Sequence, residues 1–95
     1  MSNATVAYQY LTSQGLSPGA ATGVVGNLVA ESGVNPGSVQ AGGPGRGIAQ
    51  WSVGARWATF QAWASAQGKS TGSLQSQLEF MVNEMKTMGV WRQLL

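Results

Sequence analysis

Leu74-Gln75-Ser76-Gln77-Leu78-Glu79-Phe80-Met81-Val82-Asn83-Glu84-Met85-Lys86-Thr87-Met88-Gly89 is the stretch that decides the fold class. Leu74, Leu78, Met81, Val82 and Met85 recur at the helical period and draw one apolar stripe along one side. The polar turn from Ser70 to Ser73 can cap the start of this helix, and Gly89 stops it. A striped helix has to bury its stripe against other elements, so helical neighbours are expected.

They are readable on both sides. Beyond Gly89, Val90-Trp91-Arg92-Gln93-Leu94-Leu95 reads as the start of a further helix. Before Ser70, Val53 to Gln67 carries Trp57, Phe60 and Ala64 on one face with Trp63 beside it, and Gly68 closes it. Ile48-Ala49-Gln50-Trp51 reads as a short extended stretch. Gly33 to Gly47 is a loop with six Gly and two Pro among its fifteen residues, a composition that excludes regular structure. Loops of this length in a small domain are usually functional or disordered. Upstream, Ser17 and Pro18 give an N-cap and a first helical position. The helix they start carries Ala21, Val24, Val25, Leu28 and Val29 on one face and ends near Ser32, with Gly33 as a left-handed cap and Pro36 beyond it. Its interior Gly23 and Gly26 each cost about 1 kcal/mol relative to Ala, which makes sense if another backbone packs closely there. A first helix, from about Ala4 to Gln14, places Val6, Ala7, Tyr10 and Leu11 together and stops at Gly15. The expected architecture is mainly α, a small helical domain with a Gly-rich loop and at most a short β element.

Composition then narrows the chemistry. The 95 residues allow one domain, 1–95. The chain has no Cys and no His, which excludes disulfides, thiolate or imidazole metal sites, and Cys-His or Ser-His-Asp catalysis. There is also no Asp, so Glu31, Glu79 and Glu84 are its only side-chain carboxylates. No metal or cofactor is implied. The net charge of +2 is mild and suits an anionic polymer such as a bacterial wall, but also many neutral partners. Lys69, Lys86, Arg46, Arg56 and Arg92 are scattered, so no nucleic-acid groove is expected. No apolar run reaches transmembrane length and Met1-Ser2-Asn3-Ala4 lacks a signal-peptide pattern, so no membrane association is expected either. Nothing demands more than a monomer.

The three carboxylates differ in setting. Glu31 falls in the last turn of its helix, at the negative end of the macrodipole, where a carboxylate is opposed by about 0.3–1 kcal/mol. That field favours the protonated form a general acid needs, and a flexible loop follows directly. A solvated glutamate at a helix end is the other role open to it. Glu79 lies well off the apolar stripe, on the side of Lys86, and reads as solvated. Glu84 falls between Met88 and Phe80 and is expected to be half-buried, hence paired. Arg56 or backbone amides are the structural partners open to it, and a catalytic role is the alternative. Gln50 beside Trp51 can hydrogen-bond and stack on a sugar. Core packing is the other role open to Trp51, as to Trp57, Trp63 and Trp91. Arg56 could likewise hold a substrate anion or pair with a carboxylate.

Gly26-Asn27-Leu28-Val29-Ala30-Glu31-Ser32-Gly33-Val34-Asn35-Pro36 resembles the start of the phage tail lysozyme family, a group related to goose-type lysozymes and lytic transglycosylases. Gly47-Ile48-Ala49-Gln50-Trp51 with Arg56 resembles its second signature, and Gln77-Leu78-Glu79-Phe80-Met81 with Glu84 its third. The match runs from about Leu16 to Trp91 in the right order. The family's usual further helices beyond the Trp91 region have no counterpart before Leu95, so the C-terminus reads as short. The resemblance implies a lysozyme-like fold and a peptidoglycan hydrolase. It would cleave the β-1,4 bond between N-acetylmuramic acid and N-acetylglucosamine, with Glu31 protonating the glycosidic oxygen. Ser32 would orient the acid or touch the substrate. The backbone around Ile48, with Gln50 and Trp51, would line the cleft, and Glu84 would be a second carboxylate or structural. The implied setting is a virion tail or a released lysin, acting on glycan strands in wall penetration or host lysis, alongside other tail or endolysin modules. A lytic transglycosylase, or a catalytically inactive glycan-binding or structural tail module, is the alternative.

Overall fold

Three helices begin where the sequence supplies a serine hydroxyl. The computed structural model describes residues 1–95 and contains α1 (Asn3–Ser13), α2 (Pro18–Ser32), β1 (Gly45–Arg46), β2 (Trp51–Ser52), α3 (Arg56–Ala66), α4 (Leu74–Thr87) and α5 (Val90–Leu94). Ser2, Ser17 and Ser73 accept from the backbone N–H of Thr5, Ala20 and Ser76 respectively, each satisfying a donor that the helix start leaves without a partner. Pro18 stands in the first turn of α2 as its fixed φ favours. The chain is 59% helical, so the mainly α expectation holds.

Three local expectations need correction. The extended stretch is Trp51–Ser52, because Ile48 to Gln50 form a turn that Gln50 N–H closes on the Gly47 carbonyl at 3.2 Å. The glycine-rich segment supplies its partner: β1 and β2 pair antiparallel with Arg46 opposite Trp51, and Val39 bridges to Arg46 on the other edge. Val53 N–H continues this hairpin onto the Pro44 carbonyl at 2.9 Å, which delays α3 to Arg56.

The core is one cluster drawn from every helix and from the hairpin. Leu11, Leu28, Val34, Ile48, Trp51, Phe60 and Leu78 are its buried centre. Leu78, Met81 and Val82 of the α4 stripe are buried as expected, but so is Phe80, which helical spacing puts on the far side. Helix α3 covers that side with Phe60 and Trp63, whose rings lie 5.2 and 5.5 Å from Phe80. Helix α4 is therefore enclosed on two faces, the reason it carries the most buried residues of any helix. No helix is long and apolar enough to cross a membrane.

Helix α2 packs on α1 through Ala21 and Leu28, while Val29 is 50% exposed. No backbone approaches Gly23 or Gly26: a Cβ at either position would meet nothing within 4 Å. The expected close approach is absent, and the two glycines only weaken the helix. Gly23→Ala and Gly26→Ala are each expected to add about 1 kcal/mol of stability. In a domain of this size that is a rise of roughly 4–8 °C in the thermal midpoint per substitution. Thermal melts followed by circular dichroism would read this; no rise would mean that this face is covered.

Candidate active site

The end of α2 is built by two consecutive left-handed residues. Gly33, at φ 68° and ψ 22°, ends the helix with its N–H on the Val29 carbonyl at 2.8 Å. Val34 follows at φ 55°, an unusual state for a β-branched residue that costs about 1–3 kcal/mol. It is held there because its side chain is fully buried and Asn3 Nδ2 donates to its carbonyl at 3.0 Å. Glu31, in the last turn, points to solvent and has neither a hydrogen-bond partner nor an ion pair. Ser32 turns the other way. Its hydroxyl donates to the Ile48 carbonyl at 2.7 Å and, more weakly, to the Leu28 carbonyl at 3.2 Å.

That bond fastens the turn Gly47–Gln50 to the acid-bearing helix end. The Ile48 side chain is buried in the core, and its N–H donates to Gln77 Oε1 at 2.9 Å, so its peptide is gripped from α2 and α4 at once. Gln50 has a positive φ of 52°. Its Nε2 donates to Ser38 Oγ at 3.1 Å and to the Gly47 carbonyl at 2.9 Å, which leaves Oε1 as an acceptor with no protein donor. Val34 and Gln50 are the only non-glycine residues at positive φ, and they stand at the two ends of one loop. Strain of this kind tends to collect at functional sites.

The other two carboxylates are engaged on both oxygens. Glu84 Oε1 accepts from Trp51 Nε1 at 2.9 Å and Arg56 Nη2 at 2.7 Å, and Oε2 accepts from Arg56 Nε at 2.9 Å. Of the roles open to Glu84 and Arg56, the structure supplies the structural one, an ion pair tying α3 to α4. Glu79, read as solvated, instead receives Lys69 on Oε1 and Gln75 Nε2 on Oε2 at 2.8 Å. The Lys69 bond, aided by Gln75, holds its carboxyl below the usual glutamate range. A carboxylate depressed by folding stabilises above its unfolded titration range, and that contribution fades as pH falls through the folded one. Acid titration of stability should therefore be shallower in Glu79→Gln than in the wild type below the ordinary glutamate range. Denaturant midpoints between neutral and strongly acidic pH would measure it.

Trp51 requires the clearest correction. It is fully buried, stacked on Phe60 at 5.6 Å and 17°, with Phe80 edge-on at 5.6 Å. Its ring fills the core and cannot also lie under a sugar. Of the expected site residues, Glu31, Ser32, Ile48 and Gln50 are drawn together through the Ser32–Ile48 bond, and Trp51 and Glu84 stand behind them as support. Two concavities lie elsewhere. One of about 440 Å³ is lined by Lys86, Gly89, Trp91, Arg92 and Leu95, and one of about 250 Å³ by Thr59, Phe80, Asn83, Glu84, Thr87 and Met88. Neither includes Glu31, which stands on open surface. No three carboxylates gather into a group that could hold a metal ion.

A family model for the phage tail lysozymes matches residues 2–94 of the chain. The chain is a phage tail lysozyme family member. Membership points to a glycosidase-type enzyme with lysozyme-like action on peptidoglycan, in a phage tail or at the cell wall. In this family member the residue whose role sequence reasoning missed is Gln77, wholly buried, which bonds Ile48, Pro36 and Thr71. Its signals were its place at the head of the third signature and at the border of the apolar stripe, one turn before Met81, and neither says what its amide bonds.

Proposed function

We propose that this phage tail lysozyme is a muramidase that cleaves the β-1,4 bond between N-acetylmuramic acid and N-acetylglucosamine, with Glu31 as general acid. One observation carries the reading: of three carboxylates, only Glu31 is free of protein partners, and it stands exposed beside a backbone turn held in place. A general acid must reach the leaving oxygen, which an engaged carboxylate cannot do without breaking its bonds. Glu31 gives its proton to the glycosidic oxygen as the bond to C1 of the muramic acid breaks and the N-acetylglucosamine leaves with a free 4-hydroxyl; a water oxygen then bonds to C1, its proton passes to solvent, and Glu31 is reprotonated from solvent. Gln50 Oε1 is the acceptor for an acetamido N–H or for the attacking water, and Ser38 Oγ beside it shares that role. Ser32 and the Ile48 peptide serve through the backbone, keeping acid and turn in register. All of these residues come from one chain, which we read as acting as a monomer on glycan strands, during wall penetration or host lysis.

Because Glu79 and Glu84 are engaged, no carboxylate base is at hand to activate water or to form a covalent intermediate. That same observation favours a second reading, in which the 6-hydroxyl of the muramic acid attacks its own C1, its proton passing to the Glu31 carboxylate left by the first step, and the enzyme is a lytic transglycosylase. Mass spectrometry of fragments released from purified peptidoglycan separates the two. Reducing N-acetylmuramic acid ends, absent with Glu31→Gln, are expected; anhydro ends would replace hydrolysis with transglycosylation. Glycan binding without any fragments would leave a binding module, and no binding at all a structural tail piece.

A further inference from the structure

Gln77 stands outside the family's acid and its neighbouring turn, yet its amide joins three separate parts of the chain. It sits in α4 with no exposed surface. Oε1 accepts from Ile48 N–H at 2.9 Å, and Nε2 donates to the Pro36 and Thr71 carbonyls at 3.0 Å each. Pro36 opens the Gly-rich loop, Ile48 lies in the turn that closes it, and Thr71 belongs to the α3–α4 connection. None of the three groups has its partner in regular structure at that point, and the Ile48 N–H, which is buried, would be unsatisfied if left alone. Only a primary amide offers one acceptor and two donors in a single plane. Its approach is so close that a Cβ on Gly47 would lie 2.7 Å from Gln77 Oε1, at a position whose φ is +74°. The loop is shaped around this amide.

The consequence reaches the acid. Glu31 has no partner of its own, so only its backbone fixes where it stands. That backbone is tied to the turn by Ser32 Oγ on the Ile48 carbonyl. The N–H of the same residue is what Gln77 holds. Ile48 is thus a bridge with one foot on the acid-bearing helix and the other on α4. We infer that Gln77 is a positioning residue for the cleavage reaction: it sets the Gly47–Gln50 turn at working distance from Glu31 without touching substrate. This rests on the reading of Glu31 as the acid.

The test is Gln77→Met, which keeps the bulk and removes all three hydrogen bonds, made both alone and together with Gly23→Ala and Gly26→Ala. The added alanines restore lost stability from the open face of α2, where a new Cβ meets nothing within 4 Å and so touches no atom of the bridge, and instability and misplacement come apart. In the folded, stabilised variant kcat is expected to fall roughly ten- to hundredfold, the scale of a misplaced catalytic group, with the loss larger in kcat than in KM. Hydrogen exchange at the Ile48 amide is expected to quicken in the same protein. A stabilised Gln77→Met that regains wild-type kcat, or one whose Ile48 amide stays protected, overturns the positioning role and leaves the muramidase reading intact. If Gln77→Met does not fold in either background, Ser32→Ala cuts the other foot of the bridge, and wild-type kcat there overturns it equally. A wild-type chain that releases no fragments overturns the muramidase reading, and the positioning role falls with it.

Discussion

Glu31→Gln is expected to slow wall cleavage by roughly 10²- to 10⁴-fold, the range a general acid supplies, while the unfolding midpoint stays where it was. Both halves follow from the surroundings of the side chain. It is exposed and makes no hydrogen bond or ion pair, so exchanging its carboxyl for an amide breaks nothing in the folded state. Surface exchanges of this sort shift stability by no more than about 0.5 kcal/mol. The sign here is, if anything, favourable, since a negative charge is removed from the negative end of α2. An amide cannot give a proton to the leaving sugar oxygen, so the rate falls although the glycan still binds. Release of soluble fragments from purified peptidoglycan, paired with a thermal melt of the same sample, measures both. A variant that keeps its full rate removes Glu31 from the mechanism. One that loses both rate and fold would show that the side chain has a structural partner after all.

Trp51→Ala has the largest expected effect on stability. The indole is fully buried between Phe60 and Phe80, with Trp57 at 6.3 Å, and its N–H donates to Glu84. Truncating a buried tryptophan to alanine costs about 3–5 kcal/mol through lost contacts and the cavity left behind. Domains of this size have about 5–14 kcal/mol in all, so between a fifth and the whole of the margin goes. Trp51→Phe separates the contributions. It keeps an aromatic ring in the stack and loses the bond to a charged acceptor, for which about 1.5–3 kcal/mol is typical. Urea titrations of the two variants should therefore give midpoints in the order wild type, Trp51→Phe, Trp51→Ala. Equal midpoints for all three would place Trp51 on the surface and return it to the candidate glycan contacts.

What could be read from the sequence was what is local. Ser17 and Pro18 start α2 and Gly33 ends it because capping and left-handed backbone depend on a few neighbouring residues, and α4 is visible because its stripe repeats over several turns. The hairpin was not readable, since its strands are two residues each and its turn is held by bonds from Ile48 to Ser32 and Gln77, residues 16 and 29 positions away. Trp51 was ambiguous for a different reason: a single aromatic in a two-residue strand has no periodicity to say which way it faces. Phe80 misled because the stripe was measured on one helix alone, whereas α3 gives α4 a second apolar face. The carboxylates were countable from composition, but their inequality was not. That Glu79 and Glu84 are engaged and Glu31 is free depends on Lys69, Gln75, Arg56 and Trp51 meeting them in space. Gln77 shows the limit most clearly, because one of its partners, Pro36, lies 41 residues away.

The bare face of α2 also bears on the order in which the protein assembles. A helix with Gly19, Gly23 and Gly26 among its fifteen residues gives up about 1 kcal/mol at each interior glycine, and short helices of ordinary composition are already marginal in water. Helix α2 therefore has little tendency to form by itself and takes shape once α1 offers a surface to dock on. A helix that docks only on a preformed neighbour is expected to join after the folding transition state and to show low φ-values. Stabilising it should then act on the return journey: Gly23→Ala and Gly26→Ala are expected to slow unfolding while leaving the refolding rate nearly unchanged. If those rates behave so, the free glutamate rides on the part of the chain that settles last and lets go first.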